Sequence, residues 1–526
     1  MIKVIVADEI EASGLEPLSG NGAFKLVHVK NAEELAREIG DADALLVRSK
    51  TKVNASVIAS GPKLRFLGRA GVGVDNIDVP SASKRGIVVA NVPGGNTISA
   101  AEHTVALMLA LSRNIPQSHA SVRSGLWERS KFVGTELQGK ALGLLGFGRI
   151  GREVAKRANA FEMRVSAHDP FVSEAHMKSN NVAPATFEKI LSESDFISIH
   201  LPVTPETKNI LNDAAFARMR PECRLINCAR GELVDEAALI AALKARKIKG
   251  AALDVYRKEP PEKTELFALD GVILTPHLGA STEEAQVKVA YELSLSLKDF
   301  FQKGLVRNAV NLPSIDPELL EKGTPHIRLA EKLGRFIVQI SEGGIQEIRV
   351  EYSGDFATAL RNILTLTVVK GVLSKAMAER EINWISAIPI AQERGIRVDE
   401  SATTESQDFT ILLTVTVKTD RGTRSVSGTI LSQGAPRVVR IDDLSVDVQP
   451  EGHLLVFTNV DRPGVVGFIG TILGENKINI AQFQVGRKTP GGEAVSILMV
   501  DSPIPAAVLE KIRAFPGITR TWLVSL

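Results

Sequence analysis

The sequence has very little cysteine: Cys223 and Cys228 are the only two among its 526 residues. So few thiols exclude a secreted domain held together by disulfides and indicate a reducing compartment. Both lie in one apolar, strand-like stretch, and their spacing matches no zinc ligand set, so we expect no metal site. The opening MIKVIVADE reads as a strand and lacks the basic start and apolar run of a signal peptide. We therefore expect a cytoplasmic protein.

The sequence also lacks net charge and long apolar runs. Its 63 Lys and Arg residues nearly balance its 61 Asp and Glu residues, which gives a formal charge of +2. That balance excludes the broad basic surface of a dedicated nucleic-acid-binding protein. No stretch approaches the roughly 18 apolar residues that a membrane-spanning helix needs, so we expect no membrane segment. With 44% hydrophobic and 24% charged residues the chain is typical of globular proteins, and its length predicts three or four domains.

Two successive series of strands and helices fill the first part of the chain. Short β-branched runs, such as residues 1–8 and 87–93, alternate with helical stretches, and from Lys140 a second series predicts six more strands. Such alternation is typical of parallel sheets, so we predict two Rossmann-like, doubly wound α/β domains. Long helical stretches connect them and suggest a cleft with hinges. The predicted domains are 1–98 plus 285–316, which bind the substrate, and 99–284, which binds a dinucleotide.

The remaining chain predicts two smaller domains of different character. Residues 317–450 contain helical runs and a hairpin that turns at Asp420–Gly422, which indicates an α+β domain without a phosphate-binding loop. Residues 452–526 follow a βαββαβ pattern. That order predicts a ferredoxin-like domain, a topology common in ligand-sensing modules.

The strongest local motif is the run Gly146-Phe147-Gly148-Arg149-Ile150-Gly151. The first glycine allows a tight turn, the second lets the backbone approach a pyrophosphate, and the third lets the helix pack on the strand. The N-terminus of that helix offers free N–H groups to the phosphates. Asp169 ends the next predicted strand, where a carboxylate accepts ribose hydroxyls and repels a 2′-phosphate. The combination predicts NAD rather than NADP; the alternative interpretation of Asp169 alone is a solvated turn residue.

Three polar residues follow later strands of the same predicted sheet: Arg230, Glu259 and His277. Open α/β sheets bind ligands at the carboxyl ends of their strands. A dehydrogenase that acts on a 2-hydroxy acid needs a base, a carboxylate that orients the base, and a guanidinium for the substrate carboxylate. Taken singly, each residue is more simply a structural or surface residue. Their joint placement favours catalysis.

These motifs together resemble the D-isomer-specific 2-hydroxyacid dehydrogenases. The resemblance rests on the glycine motif, Asp169, NCARGELVDE, DVYRKEPP and TPHLGAST, and it covers roughly residues 1–315. The segments GRAGVGVDNID and NVPGGNTISAAEHT are most similar to the branch that oxidises 3-phospho-D-glycerate. The tail looks like an ACT domain. With residues 317–450 between them, the layout is similar to long members of that branch, which carry an intervening domain that resembles an allosteric substrate-binding domain.

The resemblance implies specific roles. It makes His277 the acid/base, Glu259 its partner and Arg230 the holder of the substrate carboxylate. The NAD site would be lined by Arg149, Ile150, Asp169, Ala229, Asp254 and Gly279, with Asp254 on the nicotinamide amide. Substrate would be positioned by Arg48, Ser49, Lys50, Gly71 and Asn96. Arg48 and Lys50 are expected to clamp the phosphate, although a solvated strand end explains them almost as well.

The resemblance also implies regulation and assembly. We expect L-serine to bind where two copies of the tail meet, held by Asn459, Asp461 and Asn479, and we expect a homotetramer. Turn and cap preferences alone also explain those three residue types. The expected function is NAD-dependent oxidation of 3-phosphoglycerate, with no nucleic-acid or membrane partner. The alternatives are a hydroxypyruvate or glyoxylate reductase of the same family and a non-catalytic NAD-sensing protein.

Overall fold

The computed structural model describes residues 1–20, 22–313, 316–374, 382–405, 408–431 and 434–526. Within these ranges the chain forms four β-sheets of five, seven, six and four strands. The predicted fold class is confirmed: two Rossmann-like α/β units precede an α+β unit and a ferredoxin-like unit. No helix in the described ranges is long and apolar enough to cross a membrane.

The first α/β unit is built on a five-stranded sheet. Its strands and helices are β1 (Ile2–Ala7), β2 (Phe24–Val29), α1 (Ala32–Glu38), β3 (Ala44–Val47), α2 (Ala55–Ser60), β4 (Phe66–Arg69), α3 (Val79–Lys84) and β5 (Val88–Ala90). All five strands run parallel in the order β2-β1-β3-β4-β5. Their carboxyl ends therefore lie at one edge of the sheet.

Both faces of this sheet are buried, which explains its continuous apolar strands. Neighbouring side chains of a strand point to opposite faces, so Val4 enters the core on one face and Ile5 the core on the other. A helix from far along the chain, Glu283–Lys303, covers the Val4 face through residues such as Leu293. The chain thus returns to its first unit after completing the second.

The second α/β unit is built on a seven-stranded sheet, one strand more than the sequence predicts, because a two-residue edge strand is added. Its elements are α4 (Thr97–Arg113), α5 (Ile115–Arg123), β6 (Ala141–Leu145), α6 (Arg149–Ala160), β7 (Arg164–His168), α7 (Glu174–Ser179), β8 (Ala183–Pro184), α8 (Phe187–Glu193), β9 (Phe196–Ile199), α9 (Asp213–Arg218), β10 (Arg224–Asn227), α10 (Glu236–Lys244), β11 (Gly250–Leu253) and β12 (Val272–Leu274). The strands run parallel in the order β12-β11-β10-β9-β6-β7-β8. Helix α11 (Glu283–Lys303) then leads back to the first unit.

The intervening unit follows α11. Its elements are α12 (Pro317–Ile340), β13 (Ile345–Gly354), α13 (Thr358–Leu373), α14 (Trp384–Glu393), β14 (Arg397–Thr403), β15 (Ile411–Thr419), β16 (Gly422–Ile430), β17 (Pro436–Ile441) and β18 (Leu444–Val448). The strands form one sheet in the order β14-β13-β15-β16-β17-β18, in which only β13 and β14 pair in parallel. The predicted hairpin is β15–β16.

The ferredoxin-like unit ends the chain with the predicted βαββαβ order. Its elements are β19 (His453–Val460), α15 (Val465–Glu475), β20 (Ile480–Arg487), β21 (Glu493–Val500), α16 (Ala506–Arg513) and β22 (Ile518–Ser525). Its antiparallel sheet is covered on both faces. Leu455 packs under α15 and α16, whereas Leu454 belongs to the same hydrophobic core as Leu333 of α12. The ferredoxin-like unit therefore packs firmly on the intervening unit.

Candidate active site

A cavity of about 500 Å³ lies between the two α/β units. Parallel strands place their carboxyl ends, and the loops that follow them, at one edge of each sheet, and both units turn that edge toward the cavity. From the second unit it is lined by Arg230, Glu259 and His277, and from the first by Arg48, Ser49, Gly71 and Asn96. Residues from widely separated parts of the chain thus converge on one space.

His277 and Glu259 form a hydrogen-bonded pair in this cavity. The imidazole Nδ1 of His277 lies 2.7 Å from Glu259 Oε2, so the ring donates its Nδ1 proton to the carboxylate. The other oxygen of Glu259 accepts the N–H of Tyr256 at 3.2 Å. With Nδ1 engaged in this way, Nε2 carries the lone pair and is free to accept a proton. The geometry is that of a general base oriented by a carboxylate.

Three arginine side chains supply positive charge to the same cavity: Arg48, Arg69 and Arg230. Burial lowers the pKa of Arg69, and the positive charges of Arg230 and Arg48 lower it further. Asp75 is the acidic partner of Arg230, at 3.5 Å, and is itself largely exposed. Because guanidinium groups remain charged, such a cluster is stable only where anions balance it.

Arg69 is a site residue that the sequence reasoning missed. It is the last residue of β4, and the end of a parallel strand is the same signal that drew attention to Arg230. Its Nε is buried without a hydrogen-bond partner among the described residues, and so is Oδ1 of Asn96. Buried polar atoms normally find a partner, and both of these residues also line the cavity.

Lys50 is not among the residues that line this cavity, so the structure does not bring it together with Arg48 there. Asp8 accepts hydrogen bonds from the N–H groups of Arg48 and Thr51, at 2.8 and 3.1 Å, and from the Thr51 hydroxyl at 2.6 Å. The chain therefore folds around Asp8 between those two residues. Lys50 consequently lines a second cavity, beside Asn31 and Ser56.

The glycine motif forms the turn between β6 and α6. Gly146 has φ +97°, and a Cβ there would lie 2.6 Å from the carbonyl oxygen of His200. A Cβ at Gly151 would lie 2.4 Å from the carbonyl oxygen of Gly146. A Cβ at Gly148, the residue that caps α6, would meet nothing within 4 Å. The first and third glycines thus serve the fold, while the second leaves open space in front of the helix N-terminus.

The neighbouring residues complete a groove suited to a dinucleotide. Asp169, just after β7, accepts the N–H of Phe147 at 2.9 Å, so its carboxylate is tied to the glycine turn. Arg149 and Ile150 are the first residues of α6. A Cβ placed at Gly94, in the facing unit, would lie 3.6 Å from Nη1 of Arg149. Ala229 follows β10 at the same edge, where its N–H donates to Asn227 Oδ1 at 3.0 Å.

Asp254 and Gly279, both expected in the NAD site, contact each other. Gly279 N–H donates to Asp254 Oδ2 at 2.8 Å, and Leu278 N–H donates to Oδ1 at 2.7 Å. The Asp254 side chain is fully buried, with all of these partners inside the protein. Its visible role is to hold the loop that carries His277.

Of the three residues expected to bind serine, Asn459 and Asp461 lie at one end of the sheet, whereas Asn479 lies near the other end. Asn459 is buried in β19, where its side chain accepts the Ser496 hydroxyl at 3.1 Å. Asp461, at the end of the same strand, pairs with Arg487, and this hydrogen bond lowers the pKa of Asp461. Asn479 bonds Asp501 at 2.7 Å, near the opposite end of the sheet. A shared ligand therefore requires two copies of the unit.

Three family models match successive parts of the chain. The D-isomer specific 2-hydroxyacid dehydrogenase NAD binding domain matches residues 105–279, the D-3-phosphoglycerate dehydrogenase intervening domain 322–442, and the ACT domain 453–517. The chain is 44% identical to D-3-phosphoglycerate dehydrogenase of Archaeoglobus fulgidus over 532 residues, covering 100% of both chains. It is 41% identical to the Synechocystis enzyme of that name over 527 residues, covering 100% of this chain and 95% of the relative. The chain belongs to the D-3-phosphoglycerate dehydrogenase family.

A solved relative of similar fold is a complex with NAD. NAD-dependent formate dehydrogenase of Staphylococcus aureus, in complex with NAD, has a TM-score of 0.53 and 29% identity, covering 58% of this chain and 98% of its own. Family membership makes the present chain an NAD-dependent oxidoreductase, and its cofactor is NAD. The residues present fit that cofactor, because Gly148 leaves room for a pyrophosphate and Asp169 provides a carboxylate for the ribose.

Proposed function

We propose that this protein oxidises 3-phospho-D-glycerate at C2 to 3-phosphohydroxypyruvate, the first step of L-serine biosynthesis. The observation that carries the proposal is the presence of three arginines beside the His277–Glu259 pair in one cavity. The substrate carries two anionic groups, a carboxylate and a phosphate, next to the hydroxyl that is oxidised. The names of the full-length relatives point to the same substrate.

The residues divide the chemistry between them. His277 Nε2 removes the proton of the C2 hydroxyl, and Glu259 stabilises the imidazolium that forms, since it already accepts the Nδ1 proton. Arg230, on the loop after β10, makes a two-point contact with the substrate carboxylate. Arg48 and Arg69 come from the first unit and hold the phosphate at the other end. Bound NAD supplies the hydride acceptor.

The two alternative functions explain less of the cavity. Hydroxypyruvate and glyoxylate each carry a single carboxylate, so they leave Arg48 and Arg69 without an anion. A non-catalytic NAD sensor has no use for a base whose Nδ1 is oriented by a carboxylate at 2.7 Å. The complete His–Glu–Arg set therefore favours catalysis on a doubly anionic substrate.

The test is an assay of NADH formation from 3-phosphoglycerate at 340 nm, with hydrazine to trap the keto acid. It is run beside NADH consumption with phosphohydroxypyruvate, with hydroxypyruvate and with glyoxylate. We expect kcat/KM to be highest for 3-phosphoglycerate and phosphohydroxypyruvate. We expect His277→Ala to lose about 10²–10⁴-fold in kcat while still binding NAD. A higher kcat/KM for hydroxypyruvate than for phosphohydroxypyruvate would contradict the proposed substrate.

The preference for NAD provides a second test. Asp169→Ala removes the carboxylate that receives the ribose hydroxyls and repels a 2′-phosphate. We expect the ratio of kcat/KM for NAD to that for NADP to fall toward one in this variant. Equal use of the two cofactors by the native protein would contradict the role of Asp169.

We further propose a homotetramer that L-serine inhibits and that works in the cytoplasm. Two copies of the ferredoxin-like unit are needed to bring Asp461 of one chain near Asn479 of another, since the two lie near opposite ends of one sheet. A carboxylate such as Asp461 suits the ammonium of an amino acid. The free thiols of Cys223 and Cys228 agree with a reducing compartment.

A further inference from the structure

A buried hydrogen-bond network lies beneath the loop that carries His277. At its centre is the fully buried carboxylate of Asp254. Its Oδ1 accepts the N–H of Leu278 at 2.7 Å, and its Oδ2 accepts the N–H of Gly279 at 2.8 Å. Because these two amides directly follow His277, Asp254 fixes the chain on the carboxyl side of the base.

His103 contacts the same carboxylate from helix α4. Its Nε2 lies 3.1 Å from Asp254 Oδ1 and 3.2 Å from the hydroxyl oxygen of Thr275. That hydroxyl itself donates to Asp254 Oδ1 at 2.6 Å. Thr275 precedes His277 by two residues, so the network holds the chain on both sides of His277. The helix that links the two α/β units is thereby connected to the catalytic loop.

The charge on Asp254 depends on these contacts. Burial acts to raise the pKa of Asp254, but hydrogen bonds from His103, Thr275 and the Leu278 N–H outweigh it and lower the pKa below its usual value. An ionised carboxylate accepts stronger hydrogen bonds than a neutral one, so it holds the loop amides more tightly. Removing the His103 donor takes one hydrogen-bond partner from a buried anion, which weakens the network that holds the loop.

The backbone at His277 needs such support. His277 has φ +55°, in the left-handed region that side chains other than glycine rarely adopt. Its N–H donates to the carbonyl oxygen of Thr275 at 3.0 Å. Backbone conformations of this kind persist only where the surrounding structure holds them. The backbone conformation of His277 sets the direction of its Cα–Cβ bond and therefore the position of its imidazole. The contact of His277 with Glu259 depends on this conformation.

We propose that His103 is a positioning residue for the catalytic base, acting on His277 through the Asp254 carboxylate and the amides of Leu278 and Gly279. His103 is not among the residues that line the active-site cavity, so we assign it a role through Asp254 rather than in direct contact with substrate. The inference rests on the proposed role of His277 as the base.

A metal ion is the competing explanation for this cluster. His103, Cys228 and Asp254 each present a possible ligand atom, and these atoms lie within 4.8 Å of one another. Both oxygens of Asp254 already accept hydrogen bonds from the loop. The hydrogen bonds therefore account for the buried carboxylate without an ion, and the experiment separates the two explanations.

The experiment compares His103→Leu, which removes the donor at similar volume, with His103→Gln, whose amide nitrogen still donates. We expect His103→Leu to lower kcat about 10–100-fold with little change in KM, since a small displacement of a catalytic group costs this much. His103→Gln should restore kcat to within about threefold of native, because the hydrogen bond is kept. His119→Leu, on an exposed position of α5, is the matched control and should leave kcat at the native value.

The assay uses whichever of phosphohydroxypyruvate and hydroxypyruvate the native protein reduces faster. An error in the proposed substrate then leaves the inference testable, because His277 is the base for either. In an Asp254→Asn background, His103→Leu should cause no further loss of kcat, since both act through one carboxylate. If His103→Leu does not fold, Thr275→Val takes its place and should also lower kcat.

Several outcomes would overturn the inference. Native kcat in His103→Leu, or in Thr275→Val if that variant replaces it, would show that the network does not position the base. Equal losses in His103→Leu and His103→Gln would indicate packing rather than a hydrogen bond. If the losses of kcat caused by His103→Leu and Asp254→Asn were fully additive in the double variant, the two residues would act independently. If dialysis against EDTA abolished the activity of the native protein and added metal restored it, a bound metal ion would be the better explanation of the cluster.

Discussion

The arginines of the active site illustrate how single residues set the chemistry. Arg48, Arg69 and Arg230 repel one another, and burial of Arg69 increases that cost, as its lowered pKa indicates. A doubly anionic substrate relieves the repulsion and gains charge-assisted hydrogen bonds at the same time. We therefore expect affinity for such a substrate to depend on each of the three side chains.

Arg69→Met should raise the KM for 3-phosphoglycerate about 10–100-fold, the loss expected for one charge-assisted hydrogen bond. Arg37→Met, at an exposed position of α1, is the matched control and should leave KM at its native value. Lys50→Met should change KM by less than about threefold, because Lys50 lines a different cavity. Steady-state kinetics checks all three. A larger effect at Lys50 than at Arg69 would support the phosphate clamp expected from the sequence instead.

The two cysteines should be chemically inert in the folded protein. Burial raises the pKa of both Cys223 and Cys228 to about 12. At pH 8 only about one thiol in 10⁴ is then ionised, and the thiolate is the form that reacts. Iodoacetamide at pH 8 should therefore modify neither thiol in the native protein and both in guanidinium chloride, as measured by mass spectrometry. Rapid modification of the native protein would contradict the raised pKa values of the two thiols.

At the scale of elements, glycine has two different roles in the turn between β6 and α6: one glycine is needed for packing and another for the approach of a ligand. Gly151 is required by packing, since a Cβ there meets the backbone oxygen of Gly146 at 2.4 Å. Gly148 is not, because a Cβ there meets no atom of the chain within 4 Å. Its absence of a side chain matters only to a ligand that approaches the helix N-terminus.

Gly151→Ala should therefore lower the melting temperature, because the helix must move away from the strand. Gly148→Ala should leave the melting temperature near native but raise the KM for NAD about 10-fold or more, since its methyl group occupies the approach of the pyrophosphate. Thermal unfolding without NAD and steady-state kinetics measure the two effects separately. Equal loss of stability in both variants would contradict this division of roles.

At the scale of the whole molecule, the arrangement of units connects the ferredoxin-like end of the chain to the cavity. Helices α4 and α11 link the two α/β units. The cavity lies between these two units. Helix α12 follows α11 and shares its hydrophobic core with β19 of the ferredoxin-like unit. Side chains of His277 and Glu259 are 45% and 38% exposed, so this pair is accessible to solvent. Closure of the two units around a substrate would exclude solvent from the pair.

Serine inhibition follows if serine binds the less active conformation more tightly. Asp461→Ala should abolish that inhibition, because it removes the carboxylate that receives the amino group. Asp443→Ala is the matched control: this acid is exposed, pairs with Lys488 at 3.1 Å, and its loss should leave the inhibition intact. Initial rates with increasing serine and calorimetry of serine binding test the prediction. Undiminished serine binding by Asp461→Ala, or no serine effect on the native protein, would contradict it.

Much of the fold and part of the site were predictable from the sequence, for a local reason. Alternating strands and helices, the glycine turn and the βαββαβ order are patterns of neighbouring residues, and neighbours determine the backbone conformations on which they depend. Arg230, Glu259 and His277 were predictable because each follows a strand of one parallel sheet, and such ends share an edge. Their convergence with Arg48 and Asn96 needed the resemblance as well, since those residues belong to another sheet.

The tertiary structure alone decided where side chains point and what they contact. Lys50 lies outside the cavity because the chain bends between Arg48 and Thr51, whose N–H groups both donate to Asp8, 40 or more residues earlier. His103 reaches Asp254 only because α4 packs beside β11 and β12, which puts residues 151 positions apart into hydrogen-bond distance. A sequence pattern records spacing along the chain, whereas such contacts arise from the packing of distant segments, and the residues of this active site are held in place by that packing.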